Sequence, residues 1–125
     1  MANILVVEDT YLTFQLIYYF LQRNQHNILQ ATNGVEAIQN LEENPVDLVI
    51  TDIHMPEMDG LTLIERIRAD ERFRRLPVIV LTASGLEKVE KLAFEKGATA
   101  FLSQPFSSRE LGKLVSDCLS TIKEN

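Results

Sequence analysis

Five short runs, three of them strongly apolar, alternate with five stretches of helical spacing along this chain, and this alternation restricts the possible folds more than any other feature. The runs are typical of strands and lie at residues 3–7, 26–31, 48–51, 77–81 and 100–103. The stretches between and after them predict helices at residues 10–22, 35–43, 61–69, 86–96 and about 108–121. Strands this apolar need cover on both faces. We therefore predict an α/β fold, a doubly wound five-stranded parallel sheet with helices on both faces.

Composition limits the class of protein and of partner. The 125 residues are enough for one domain, and the net charge of −6 argues against nucleic acid or an anionic membrane as a direct partner. Cys118 is the single cysteine, which excludes an internal disulfide and a cysteine-based metal site. The most apolar stretch, residues 16–21, is too short to cross a bilayer. We expect a cytoplasmic protein.

Three carboxylates follow two of the predicted strands. Glu8 and Asp9 come directly after the first strand, and Asp52 comes after the third. In an open parallel sheet the carboxyl ends of the strands lie at one rim, where ligands bind. Carboxylates gathered there repel one another unless a cation intervenes, and Mg²⁺ is the hard, oxygen-binding ion that suits them best. The competing interpretation is that Glu8 and Asp9 only cap the helix that follows them.

Other residues near this rim carry weaker signals. Thr82 ends the fourth strand and offers a hydroxyl, although threonine is common at strand ends for structural reasons alone. His54 has no partner at metal-ligand spacing and is more typical of a surface loop. Pro56 and Gly60 are interpreted as loop punctuation that affects the shape around Asp52 only indirectly.

Four motifs in this order resemble those of one family. They are Glu8-Asp9 after the first strand, Asp52 with Met55-Pro56-Glu57-Met58-Asp59-Gly60, Thr82-Ala83 after the fourth strand, and Pro105-Phe106 after the fifth. Together they resemble the response-regulator receiver domain of two-component and phosphorelay signalling, over essentially the whole chain. The resemblance implies the flavodoxin-like receiver fold, and we expect a single receiver domain over residues 1–125 with no output domain.

The resemblance also implies roles for individual residues. Asp52 would accept a phosphoryl group from a phosphohistidine on a histidine kinase or histidine phosphotransfer protein. Mg²⁺ would be held by Glu8, Asp9, Asp52 and the backbone carbonyl of His54. Thr82 would bond the phosphoryl oxygen, and Phe101 would be the switch aromatic that turns inward. The family also holds the peptide before Pro105 in cis. The domain would then signal to a downstream protein target or by self-association.

Gln104 departs from the family pattern, which has a lysine directly before this proline. A glutamine amide is a neutral donor, and charge-assisted hydrogen bonds are roughly twice as strong as neutral ones. Either Asp52 is still phosphorylated with weaker coupling to Thr82 and Phe101, or the domain is a phosphorylation-independent interaction module. The retained carboxylates and Thr82 favour the first.

The first helix has apolar residues beyond those that a core face needs. Its predicted core positions are Leu12, Leu16, Ile17, Phe20 and Leu21. An additional stripe of Tyr11, Phe14 and Tyr18 either widens the core face or, if exposed, contacts a phosphodonor or a second copy of this chain.

Two enzyme or cofactor classes on a similar architecture fit less well. An aspartate-nucleophile phosphatase needs a second aspartate two residues after the first, where this chain has His54, and places its nucleophile after the first strand. A flavin-binding domain needs a phosphate-binding loop where this chain has Glu8-Asp9. We expect at most self-catalysed phosphoryl transfer to Asp52 and its hydrolysis, rather than a conventional turnover enzyme.

Overall fold

The computed structural model describes residues 2–83 and 86–123, and these form one five-stranded parallel sheet with helices on both faces. The strands are β1 (Asn3–Val7), β2 (Asn27–Ala31), β3 (Leu48–Thr51), β4 (Val78–Thr82) and β5 (Ala100–Ser103). The helices are α1 (Tyr11–Gln22), α2 (Gly34–Glu43), α3 (Gly60–Ala69), α4 (Glu87–Lys96) and α5 (Ser108–Lys123), with a short 3₁₀ turn at Glu71–Phe73. The predicted fold class is confirmed, and the element ends differ from the prediction by a few residues.

The strand order is β2-β1-β3-β4-β5, with every neighbouring pair parallel. The chain leaves β1 in one direction to reach β2 and then crosses to the other side for β3. The order therefore reverses between β1 and β3, and such a switch point opens a crevice at the carboxyl ends of the two strands.

Side chains that alternate along the strands build a separate core on each face of the sheet. On β1, Leu5 and Val7 face the core under α2, α3 and α4, whereas Ile4 and Val6 face the core under α1 and α5. These four side chains are fully buried, as expected for a central strand of a doubly wound sheet.

Side-chain caps fix the starts of three helices. Asn33 Oδ1 accepts from Glu36 N at α2, and Asp59 Oδ1 accepts from Thr62 N at α3. At α5, Ser107 Oγ accepts from the backbone N–H of Glu110, whose Oε1 accepts from Ser107 N. This reciprocal pair is a capping box. Ser107 is therefore the N-cap residue of α5.

The face of α1 that packs on the sheet differs from the predicted one. Phe14, Ile17 and Leu21 are buried, whereas Leu12 is 77% exposed and Leu16 is 44% exposed. Ile17 and Leu21 are buried as predicted, and Phe20 packs against the core. The prediction was wrong for Leu12 and Leu16, because α1 is apolar almost all round and spacing alone does not say which side faces the sheet. In the described part of the chain, no helix is both long and apolar enough to span a membrane.

Candidate functional site

The crevice at the switch point gathers the three predicted carboxylates. The backbone N–H of Asp52 donates to Val7 O at 3.1 Å, and the N–H of Glu8 donates to Ala31 O at 2.9 Å. These bonds extend the sheet ladder past the strand ends. Glu8, Asp9 and Asp52 each place a carboxylate oxygen within 4.8 Å of the others. The sheet topology thus brings together residues that lie more than forty positions apart in the sequence.

Glu8 is the buried member of this cluster, with 3% of its surface exposed. Burial, and to a lesser extent the neighbouring Asp52 and Asp9 charges, raises its pKa to about 7, although a bond accepted from Thr10 N opposes the shift. Among the described residues, no lysine or arginine forms an ion pair with any of the three. Since Thr10, not Glu8 or Asp9, is the cap residue of α1, simple helix capping does not account for the cluster.

This donor set fits a divalent cation. Three carboxylate oxygens at mutual distances within 4.8 Å can share one small ion, and hard oxygen ligands are those that Mg²⁺ prefers. A positive ion would favour the charged form of Glu8, which burial disfavours.

Asp52 is held by its own loop. Its Oδ1 accepts from Ile53 N at 2.6 Å, and its backbone carbonyl accepts from the hydroxyl of Thr51 at 2.8 Å. The side chain is half-buried at the mouth of the crevice, beside the exposed Asp9. These bonds orient a carboxylate that stays accessible from outside.

Gly60 lies directly against Asp52. The sequence analysis interpreted Gly60 as loop punctuation and did not predict this contact. A Cβ at position 60 would lie 2.1 Å from the carbonyl oxygen of Asp52 and 2.9 Å from Ile53 Cα. The N–H of Gly60 also donates to Ile53 O at 2.8 Å. The first residue of α3 therefore needs to lack a side chain, and Gly60 shapes the acceptor loop by direct contact. The sequence signal that could have identified this contact is the Met-Pro-Glu-Met-Asp-Gly pattern at residues 55–60.

The remaining predicted residues lie on strands near the crevice or in the loops that follow those strands. Thr82 is buried at the end of β4, and its carbonyl accepts from Gln104 N at 2.8 Å. The Gln104–Pro105 peptide is cis, as the resemblance implied. Phe101 is half-buried on β5 and packs against the core under α2, α3 and α4, while the His54 side chain is exposed.

Of the three residues in the predicted partner stripe, Tyr11 alone is well exposed, at 69%. Phe14 belongs to the core, with 7% exposed, so its assignment to a partner surface was wrong. Tyr18 is half-buried and stacks on Phe14, with the ring centroids 6.1 Å apart. Leu12 and Leu16 take the exposed positions instead.

The model of the response regulator receiver domain family matches residues 4–116 of this chain. The chain belongs to that family. Chemotaxis protein CheY1 of Helicobacter pylori is 34% identical to this receiver domain over 121 residues, which are 95% of this chain and 98% of CheY1. The probable transcriptional regulator ycf29 of Porphyra purpurea is also 34% identical, but the match, 94% of this chain, spans 56% of that longer protein.

Solved structures agree with the fold. A putative response regulator from Chloroflexus aurantiacus superposes on this chain with a TM-score of 0.92 at 31% sequence identity. The superposition covers 95% of this chain and 98% of the Chloroflexus chain. The receiver domain of the sensor histidine kinase PA1611 from Pseudomonas aeruginosa superposes with a TM-score of 0.88 at 28% identity, with the same coverage. That structure has a magnesium ion coordinated in its active site cleft. This receiver domain is thus a component of two-component signalling.

Proposed function

We propose that this receiver domain accepts a phosphoryl group on Asp52 from a phosphohistidine of a histidine kinase or histidine phosphotransfer protein. The observation that carries the proposal is the carboxylate cluster of Glu8, Asp9 and Asp52, whose oxygens lie within 4.8 Å of one another at the switch point. Receiver domains of histidine kinases are among the similar structures, which supports a kinase as the donor.

Phosphorylation of Asp52 is a single nucleophilic displacement at phosphorus. An Asp52 carboxylate oxygen attacks phosphorus, an O–P bond forms, and the P–N bond to the donor histidine breaks. The electron pair of that bond stays on the leaving imidazole nitrogen, which takes up a proton. Glu8, Asp9, Asp52 and the His54 carbonyl would hold Mg²⁺, which when bound neutralises negative charge on the phosphoryl oxygens.

Residues of β4 and β5 would change their contacts when Asp52 is phosphorylated. The Thr82 hydroxyl would donate to a phosphoryl oxygen, and Phe101 would change its packing in response. Gln104 is linked to the Thr82 carbonyl through its backbone N–H, but its side chain brings a neutral amide in place of the family's lysine. We infer that phosphorylation survives at Asp52 and that its coupling to Thr82 and Phe101 is weaker than with a lysine.

Incubation with Mg²⁺ and acetyl phosphate should add the mass of one phosphoryl group to the wild-type chain, as measured on the intact protein. Chelating the metal with EDTA should abolish the gain, because the carboxylate cluster then lacks the cation that offsets its charge. The Asp52→Asn variant, which keeps the size of the side chain but removes the nucleophile, should gain no mass with Mg²⁺ present.

Gln104 supports a second candidate, the phosphorylation-independent interaction module. If wild type gains no phosphoryl mass under any of these conditions, the acceptor proposal fails and the module is the better description. Gain of mass by Gln104→Lys, but not by wild type, would identify the missing cation as the cause.

We further propose that the exposed apolar surface of α1 docks the phosphodonor. We define this α1 surface as Tyr11, Leu12 and Leu16, which are 69%, 77% and 44% exposed. Leu16 also lines a depression of about 390 Å³ with Gln104, Pro105 and Phe106, next to the fifth strand end. Tyr11 itself lies two residues after Asp9 of the carboxylate cluster. The α1 surface is therefore near the place where a donor histidine has to arrive.

The double substitution Leu12→Asp, Leu16→Asp should slow phosphotransfer from a phosphorylated histidine phosphotransfer domain by roughly tenfold or more, because it places two charges in an apolar contact. Phosphorylation by acetyl phosphate should not change, since that small donor needs no docking surface. Leu92→Asp on α4, 38% exposed on the other face of the sheet, is the matched control. Equal slowing with both donors, or no slowing with the protein donor, would contradict the docking role.

A further inference from the structure

A groove lies between the C-terminal end of α1, with the residues that follow it, and α5, on the face of the sheet that these two helices cover. Its volume is about 680 Å³, within the range of small-molecule sites in proteins. None of the carboxylate cluster residues lines it, so that the groove is distinct from the acceptor crevice.

The lining of the groove is basic although the chain is acidic. Arg23 at the end of α1 and Arg109 and Lys113 on α5 all line it, and no aspartate or glutamate is among its described lining residues. The chain as a whole has 18 acidic and 12 basic residues. Arg23 and Arg109 form no ion pair among the described residues, and Lys113 has a 4.0 Å contact with the exposed Asp117. The groove is thus a local positive site without an internal counterion.

Neutral hydrogen-bond donors add to these charges. Asn24 and Ser116 line the groove between the basic residues. His26 lines it as well, and its Nδ1 accepts from Ala2 N at 3.2 Å. Because Nδ1 acts as an acceptor, the neutral ring carries its proton on Nε2, which has no hydrogen-bond partner among the described residues. The donors outnumber the acceptors, as an anion requires.

Gly112 leaves the middle of the groove open. Glycine inside a helix is less favourable than alanine, and packing does not demand it here. A Cβ at position 112 would meet only Asn24 Nδ2, at 3.9 Å. Phe20 and Leu119 supply apolar surface beside this opening. The site therefore combines a basic rim with an apolar wall.

We propose that the α1–α5 groove binds a phosphorylated small molecule of nucleotide size. Arg23, which directly follows α1, and Arg109 and Lys113 of α5 line the groove from its two sides. Such cationic groups suit a phosphate chain, which arginine binds in a bidentate manner. The apolar wall of Phe20 and Leu119 would contact the base. The proposal does not depend on phosphorylation of Asp52.

Titration calorimetry of the full chain with ATP tests the proposal. EDTA is included to remove Mg²⁺, because without the metal the acidic cluster repels the phosphates and ATP does not bind there. ATP should bind, and adenosine should not. Arg23→Gln with Arg109→Gln should weaken ATP binding by tenfold or more, since both guanidinium contacts to the phosphates are lost and only Lys113 remains charged. In a ¹H–¹⁵N correlation spectrum, ATP should shift the amide signals of Asn24, Gly112 and Ser116 and leave that of Asp52 in place.

A matched pair of variants at one position separates groove binding from other effects. Gly112→Leu fills the opening and should abolish ATP binding, whereas Gly112→Ala should retain it; thermal melting of both checks that they fold. Absence of ATP binding at millimolar concentration, or unchanged binding by Gly112→Leu, overturns the proposal. Binding of poly-glutamate in the groove without ATP binding would also overturn it, in favour of an acidic protein segment.

Discussion

Gly60→Ala should destabilise this receiver domain by about 3 kcal/mol, the upper end of what overpacking in a close-packed site usually costs. The added methyl carbon would lie 2.1 Å from the Asp52 carbonyl oxygen and 2.9 Å from Ile53 Cα. Both are backbone atoms, so no flexible side chain can move aside to make room. The strand end, the acceptor loop and the start of α3 have to shift together. Urea denaturation followed by circular dichroism measures the loss of stability.

Gly112→Ala provides the control for that experiment, because it makes the same substitution in another helix. Here the new Cβ has one neighbour, Asn24 Nδ2 at 3.9 Å, and alanine favours a helix over glycine by about 0.5–1 kcal/mol. The two variants should therefore differ in sign. Equal or greater stability for Gly60→Ala than for wild type would show that the close approach between α3 and Asp52 is not required. The displaced loop should also slow phosphorylation by acetyl phosphate, since Asp52 no longer holds its position.

Arg68→Leu should lower the free energy of unfolding by about 2–4 kcal/mol, because hydrogen bonds to a charged group are worth about 1.5–3 kcal/mol each and three of the partners are partly buried backbone carbonyls. Arg68 Nη1 donates to Leu76 O at 2.7 Å and to Phe73 O at 3.2 Å, and Nε donates to Gly97 O at 2.9 Å. Nη2 donates to Thr99 Oγ1 at 3.3 Å. One guanidinium thus joins α3 to the segments that precede β4 and β5. Burial lowers the pKa of this guanidinium, but it stays charged.

Arg72→Leu is the matched control, four residues further along. Arg72 pairs with Glu42 and Asp70, each at 2.7 Å, and these contacts raise its pKa further above the usual range. Its side chain is nevertheless 56% exposed, and water screens exposed pairs. Urea denaturation should show a much smaller loss for Arg72→Leu than for Arg68→Leu. The reverse order would show that the surface ion pairs, rather than the partly buried bonds to carbonyls, hold this end of the sheet together.

Much of the site follows from the order of residues along the chain, for one physical reason. Parallel strands joined by helices all end at the same rim, so residues that directly follow strands must be neighbours there. Position alone therefore predicts that Glu8, Asp9 and Asp52 lie together, and their oxygens do lie within 4.8 Å of one another. Their roles toward Mg²⁺ and phosphate come from the resemblance and remain proposals.

The errors arise where the local sequence fits more than one arrangement, either because every side of a helix is apolar or because a glycine suits many loop shapes. Helical spacing assigns Leu12 and Leu16 to the core and Phe14 to a partner surface, yet Phe14 is buried and both leucines are exposed. In α1 nearly every side is apolar, so the choice depends on how the helix rotates against the sheet and α5. Gly60 resembles ordinary loop punctuation because its contact partner, the Asp52 carbonyl, is set by the path of the loop.

The sequence by itself determined the succession of strands and helices along the chain, the parallel sheet with two covered faces, and the set of residues at the rim. Each of these follows from periodicity or from position at a strand end, which are local properties. Tertiary structure alone decided which face of α1 is buried, that Gly60 has to lack a side chain, and that Arg23 and Arg109 share a groove. These features depend on distances between segments far apart in the chain, and no local pattern encodes such distances.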